Sequence, residues 1–261
     1  MNSTLRLICL AVVFVCFVSI APAQITLSGI SYTESFNSLS SGLPSGWTVS
    51  TSATVSTLGT AGTFASTATA WNSATAGTDF RNISSDDLTF GVGSPTQNSN
   101  SSNRALGWRP LADSVGAREG SSMLTLAHTT GLTGFSLSVT VFSANDVAGS
   151  QNYSLEYRVG NTGNFTLITT YTTPSSGSTG FNELTLTANS ITLSALNNQS
   201  TNVYVRVRGT TTSGTTLDTL GIDNFSLSYS AIPEPSTYAV IFGAAALAAA
   251  AWHRRRQRAA R

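Results

Sequence analysis

From Ile25 to Tyr229 the sequence repeats every two residues rather than every 3.6, and this alternation decides which folds are open to it. In TGFSLSVTVF, Phe135, Leu137, Val139 and Val141 alternate with Ser136, Ser138 and Thr140. Successive side chains of a strand point to opposite faces, so such a segment buries one face and exposes the other. The same pattern runs through SSMLTLAH, YSLEYRV, FTLITTY, FNELTLT, VYVRVRG and IDNFSLSY, parted by turn segments such as GNTGN and TPSSGSTG. Helix signals are missing before the C-terminal tail: Thr and Val stand where Ala, Leu and Glu would be expected. One-faced strands bury themselves compactly as two stacked sheets, which predicts an all-β, antiparallel β-sandwich.

Between Ser50 and Asn103 the alternation fades into polar stretches such as WNSATAGTDFRNISS and GVGSPTQNSNSSNR, which read as long loops between early strands. No internal repeat is visible. Ser and Thr make up about 30% of the chain, well above ordinary globular usage, and there is no lysine, so the solvent-facing side is neutral and hydroxyl-rich. Between Ile25 and Ala231, seven arginines face eleven acids, a net of 7 − 11 = −4. A mildly acidic body without a basic stripe carries no electrostatic footprint for nucleic acid.

Both ends depart from this pattern. MNSTLRLICLAVVFVCFVSIAPAQ has one early positive charge at Arg6, an apolar run from Leu7 to Ile20, and Ala21-Pro22-Ala23, the small-x-small arrangement a signal peptidase accepts. That predicts a signal helix over residues 1–23 cleaved after Ala23; the alternative, an uncleaved anchor, asks a short apolar run to span about 30 Å. The only cysteines, Cys9 and Cys16, lie inside it, which leaves the cleaved product without thiol chemistry. At the other end, Pro233-Glu234-Pro235 precedes an uncharged stretch from Thr237 to Trp252, sixteen residues, and an arginine-rich end over 253–261. As a helix that stretch reaches about 24 Å, a marginal transmembrane span, and the arginines would stay cytoplasmic. Prolines on both sides of Glu234 favour an extended, accessible tripeptide there.

The order Pro-Glu-Pro, Ser236, a short Ala/Gly-rich run and terminal arginines resembles the PEP-CTERM protein-sorting domain of Gram-negative bacteria. The resemblance covers only residues 231–261 and implies processing by an exosortase, a membrane cysteine transpeptidase, with Pro233, Glu234 and Pro235 as the sorting motif. The alternative reading is an ordinary C-terminal anchor. A looser resemblance lies in the body: YTESFNSLSSGLPSGWTV and LDTLGIDNFSLSY are similar to the first and last strands of secreted jelly-roll domains, as found in adhesive and carbohydrate-binding sandwiches. It implies that those strands lie together, and that Glu34 and Asp223 could share a structural calcium, with Asn224 and Asp218 as further oxygen donors. The alternative is a pair of turn-capping carboxylates without metal.

Catalytic patterns are scarce. The body offers one histidine, His128, at a strand end, where a structural role outweighs a catalytic one. No G-x-S-x-G, H-E-x-x-H or Walker sequence occurs, and GVGSPTQ is a glycine pair with no helix after it. Asp86-Asp87 is the only adjacent carboxylate pair, and neighbours on a strand face opposite ways. Trp71 and Trp108, with Trp47 as a third indole, could stack on sugar rings, with Arg109 and Arg104 flanking Trp108; the alternative is core packing.

The sequence therefore predicts a signal peptide over 1–23, a jelly-roll-like β-sandwich over 24–230 and a sorting tail over 231–261 with a transmembrane helix at 237–252. The expected protein is exported and non-enzymatic, structural or adhesive, without a cofactor beyond the calcium candidate. Its expected partners are signal peptidase, an exosortase-type enzyme and the membrane. The alternatives are a carbohydrate-binding module for extracellular polysaccharide and a secreted hydrolase using paired carboxylates.

Overall fold

The computed structural model describes residues 24–69, 79–85, 100–108, 119–145, 151–172, 180–211, 219–233 and 235–259. The signal-peptide expectation over 1–23 lies outside these residues. In chain order the strands are β1 (Ser31–Glu34), β2 (Trp47–Thr51), β3 (Thr60–Ala61), β4 (Thr63–Thr69), β5 (Asp79–Ser84), β6 (Arg104–Trp108) and β7 (Glu119–Leu126). They continue as β8 (Leu132–Asn145), β9 (Gln151–Val159), β10 (Thr166–Thr172), β11 (Gly180–Ala188), β12 (Val203–Thr211) and β13 (Thr219–Ala231), and a helix, α1, follows at Pro235–Ala259.

One sheet has the order β11-β8-β13-β6-β5-β4, with β1 joining β13, and the other β10-β9-β12-β7-β2-β3. Every pairing is antiparallel except β4 with β5. The two sheets enclose one core, because the apolar phase of each strand points at the other sheet: Phe135, Leu137, Val139 and Val141 from β8 meet Tyr153 and Leu155 from β9 and Val203, Val205 and Val207 from β12. The first and last strands are neighbours, Glu34 opposite Phe225 and Ser31 opposite Ser228, the adjacency the jelly-roll resemblance implies.

β13 does not alternate uniformly. Ile222, Phe225, Leu227 and Tyr229 are buried, so one step is three residues rather than two. The pairing with β8 slips between Asp223 and Ser226, and Asn224 takes φ +49°. This bulge inserts one extra residue, and asparagine tolerates the left-handed backbone it needs.

The segment from Ser50 to Asn103, expected as loops, carries β3, β4 and β5. β4, TFASTAT, is the edge strand of its sheet, and of its side chains Phe64 packs against the core. An edge strand with so small an apolar face leaves little period to read.

At the C-terminus, α1 contains the stretch 237–252 expected to span a membrane, yet among the described residues no helix is long and apolar enough to do so. The uncharged run from Thr237 to Trp252 has sixteen residues, eight of them the weakly hydrophobic alanine, and His253 and the arginines follow. At 1.5 Å per residue this is about 24 Å, short of a hydrocarbon core of about 30 Å.

The Tyr153 phenol joins the two sheets inside the core. The Tyr153 hydroxyl on β9 donates to the Phe142 carbonyl (2.6 Å) and accepts from the Gly221 N–H (3.0 Å). Tyr153→Phe removes both of these bonds to buried backbone groups and should cost about 1–3 kcal/mol in chemical denaturation. A loss within measurement error would mean that water replaces the phenol there.

Candidate functional site

The sorting tripeptide begins where the sandwich ends. β13 remains paired with β8 through Ser230 opposite Thr133 and Ala231 opposite Leu132, and the Ile232 N–H then donates to the Gly131 carbonyl at 2.7 Å. Pro233 follows at once, exposed, and Pro235 opens α1, the position where proline's missing N–H does no harm. Glu234 lies outside the described residues. Along α1, Arg254, Arg255, Arg256 and Arg258 are exposed, and the Arg256 guanidinium sits 4.2 Å from the Trp252 ring centre one turn back. The tail is thus a short extended exit, an apolar helix and a cationic end, all exposed where described.

Of the three indoles, Trp108 and Trp47 are core residues. Trp108 is only 4 % exposed, stacked on Phe80 with ring centres 5.8 Å apart, and its indole presses on Gly120, where an added Cβ would lie 2.8 Å from the ring. It lines a cavity of about 20 Å3, room for about one water, and among the described residues its Nε1 has no hydrogen-bond partner. Trp47 is buried as well. Trp71 and Arg109 lie outside the described residues. Arg104, expected beside a ligand, is interior: its Nε donates to Asn82 Oδ1 (2.7 Å) and its Nη2 to the Asn82 carbonyl (2.7 Å), binding β6 to β5.

Glu34 and Asp223 are not brought together on one face. Glu34 stands opposite Phe225, whose ring is in the core, whereas Asp223 stands opposite Thr140, which lies between the inward-pointing Val139 and Val141 and so faces outward. The bulge at Asn224 therefore puts the two carboxylates on opposite faces of one sheet. Each has its own work: Glu34 Oε1 accepts the Phe36 N–H (2.8 Å) at a residue with φ +56°, and Asp223 accepts from Ser85 Oγ (2.6 Å) and the Asn224 N–H (2.7 Å). Among the described residues no cluster of three or more His, Cys, Asp or Glu could hold a metal. Asp218, the other spare ligand, and the Asp86-Asp87 pair lie outside them. Among the described residues His128 Nδ1 is buried without a hydrogen-bond partner.

Two features escaped the sequence reading. The first is an ionic cluster on the outer side of the second sheet. Arg206 and Glu156 are directly paired across β12 and β9, joined Nε to Oε2 at 2.7 Å, and fully buried. Arg206 also donates to the Thr57 and Thr54 carbonyls (2.8 and 2.6 Å), and its guanidinium lies 3.4 Å from the Phe165 ring centre. Burial pulls this guanidinium below its ordinary pKa, and Glu156 pushes back. Arg208 adds a second bond to Glu156 (2.9 Å), and Arg158 lies against Phe165 and Tyr204. The loop after β2 is thereby clamped over a charged, non-aqueous patch. The signal was present as E-x-R in YSLEYRV and R-x-R in VYVRVRG, but only the register reveals the pairing.

The second is a groove of about 530 Å3 beside β8, β11 and β13, where Ser136, Ser138, Thr187, Asn189, Ser226 and Ser228 line the wall. Among the described residues that line it none is aromatic and none is charged. Chemically it offers hydroxyl and amide donors and acceptors to an uncharged polar partner.

Residues 231–256 match the family model described as the PEP-CTERM protein-sorting motif. The chain carries that motif, which implies recognition by an exosortase-type enzyme and an exported protein on the cell surface. No curated protein matches the chain. Solved structures with similar backbones include the K1 cleaved adhesin domain of Lys-gingipain from Porphyromonas gingivalis W83, at 14% identity and TM-score 0.40, covering 77% of this chain and 98% of that one. A xylan-binding domain from CBM 22 has 17% identity and TM-score 0.38, covering 77% and 95%. The enzymatically active domain of tailspike protein 4 of bacteriophage CBA120 has 14% identity and TM-score 0.38, covering 76% and 21%. Likeness at this level, spread over such different proteins, leaves ligand and activity to be argued from this chain's own residues.

The Tyr32 phenol titrates late. Trp47 Nε1 donates to the Tyr32 hydroxyl (2.9 Å), and burial, opposed by that hydrogen bond and aided by the Glu34 charge, pushes the Tyr32 phenol up to about 12 from 10.0. Burial raises Tyr171 and Tyr229 in the same direction. A phenol kept neutral in the fold contributes stability that is complete below pH 10.0 and is lost as pH rises through about 12. Stability should therefore fall across that window, and less steeply in Tyr32→Phe. Equal slopes in urea titrations of the two proteins would reject this assignment.

Proposed function

We propose that this protein is an exported, non-enzymatic component of the cell surface or extracellular matrix. Its jelly-roll-like body, residues 24–230, is exported by the leader at 1–23 and delivered by the tail at 231–261. The observation that carries the reading is the match of residues 231–256 to a sorting motif that starts at the last residue of β13. Pro233, Glu234 and Pro235 are the residues the processing enzyme reads, and Glu234 is the one that can offer it a charge. A non-enzymatic role fits the side chains: His128 Nδ1 has no hydrogen-bond partner, Arg206 holds Glu156, and local hydrogen bonds engage Glu34 and Asp223.

Intact mass and cell fractionation of the native protein test this reading. The wild-type product should lack both the leader and the arginine-rich end, Glu234→Ala should accumulate as a chain that still ends at Arg261, and deletion of 237–261 should stop processing and surface retention together. A wild-type surface product that retains Arg261 would overturn it.

A second reading, binding of an extracellular polysaccharide, is favoured by the uncharged hydroxyl groove rather than by the tryptophans. Neutral sugars present the hydroxyls that such a wall can meet. Ser138→Arg together with Ser226→Arg would fill it with charge and bulk and should abolish pull-down on neutral matrix polysaccharide. Unchanged retention of that double variant would remove the groove from consideration.

A further inference from the structure

β13 leaves the sandwich with no slack before the sorting tripeptide. The last N–H bonded to the body belongs to Ile232 and the first residue of the motif is Pro233. Enzymes that process peptides commonly hold them extended, through main-chain bonds on both sides of the bond they attack. On the body side those bonds would have to come from Ser230, Ala231 and Ile232, because Pro233 has no N–H. The same three residues face β8 and its turn through the pairings with Thr133 and Leu132 and the bond to the Gly131 carbonyl. One set of main-chain groups cannot serve the sheet and the enzyme together.

The fold makes the exchange cheap at this place. Ser230, Ala231 and Ile232 are all exposed, so their release uncovers no core side chain. The ladder between β13 and β8 is already broken by a register shift between Ser228 and Ser230. Just inward of that shift the strand is fixed: the Tyr229 ring is buried, its hydroxyl donates to the Ser28 carbonyl (2.8 Å) and its N–H to the Ile30 carbonyl (3.0 Å). Local opening follows the elements with few buried contacts and stops where burial begins.

We infer that Ser230–Ile232 is a latch that peels from β8 to form the body-side part of the substrate held by the membrane sorting enzyme, and that Tyr229 is where the peeling stops. This rests on the sorting function proposed above and adds to it a recognition footprint outside the Pro-Glu-Pro motif.

The test is a removable staple in the full chain, expressed in its native host. Ala231 and Leu132 are direct partners, and such partners lie about 4.5–5.5 Å apart between Cα atoms, inside the range a disulfide takes. The native cysteines, Cys9 and Cys16, both lie in the proposed leader, so Ala231→Cys with Leu132→Cys forms one defined bridge. The oxidised double variant should be processed more slowly by about tenfold or more, because the open population of the latch is removed. Inserting about six Gly/Ser residues between Ile232 and Pro233, a slack of about 20 Å, should restore processing of the stapled chain, which also establishes that it folds and is exported. Processing of the stapled chain at the wild-type rate overturns the latch, and so does a stapled chain that the insertion fails to rescue. If the wild-type chain itself is not processed, the sorting function fails, and the latch with it.

Discussion

β13 is hydrogen-bonded on both of its edges, and the arrangement of the first sheet follows from that. β8 accompanies one edge along most of its length, while β6 meets the other edge at Leu220–Ile222 and β1 meets it at Phe225–Ser228. The two partners on the second edge share one strand only because the bulge at Asp223 and Asn224 resets the phase between them. With strict alternation, a strand that buries Ile222 would turn Phe225 to solvent, and the aromatic corner of Phe225, Trp47 and Phe36 would not close. That corner carries the contact between the two sheets at the end where β1 and β2 meet.

So hydroxyl-rich a chain must still satisfy the polar groups that its sheets enclose, and it does so with few, multiply bonded side chains. The Tyr153 hydroxyl serves two backbone groups of the opposite sheet, Arg104 serves Asn82 twice, and Arg206 joins a carboxylate to two loop carbonyls. Buried charge is stabilising only when its partners are nearly complete, since desolvation otherwise outweighs the attraction. Arg158, whose Nε and Nη2 have no hydrogen-bond partner, lies against two aromatic rings, whose faces attract a cation. The loop after β2 is held by this network rather than by apolar packing alone, which suits a body with so little charge elsewhere.

The body and the tail are mechanically continuous. The strand that completes the first sheet is also the strand that presents the sorting motif, so the stability of the sheet's last few pairs and the accessibility of the tail are one quantity viewed from two sides. Opening confined to Ser230–Ile232 leaves the core intact because nothing buried precedes Tyr229 at that end. Local opening of this kind leaves the domain folded while its end is released.

Period-two alternation and turn composition were enough to predict two sheets and to locate β7 to β13, because burial on one face leaves a mark that repeats along the strand itself. The sorting motif of the tail was equally legible, since its proline, alanine and arginine blocks act through local chemistry, but the membrane span expected at 237–252 was not borne out, because no described helix is long and apolar enough. Tertiary structure alone decided that β4 and β5 form in a stretch without alternation, and that Trp108 is a core residue and not a binding face. It also decided that Glu34 and Asp223 face apart and that Arg206 finds Glu156 50 residues away in sequence. Those outcomes depend on which strands become neighbours and in what register. That is set by the summed packing of both sheets, a property that no short window of sequence contains.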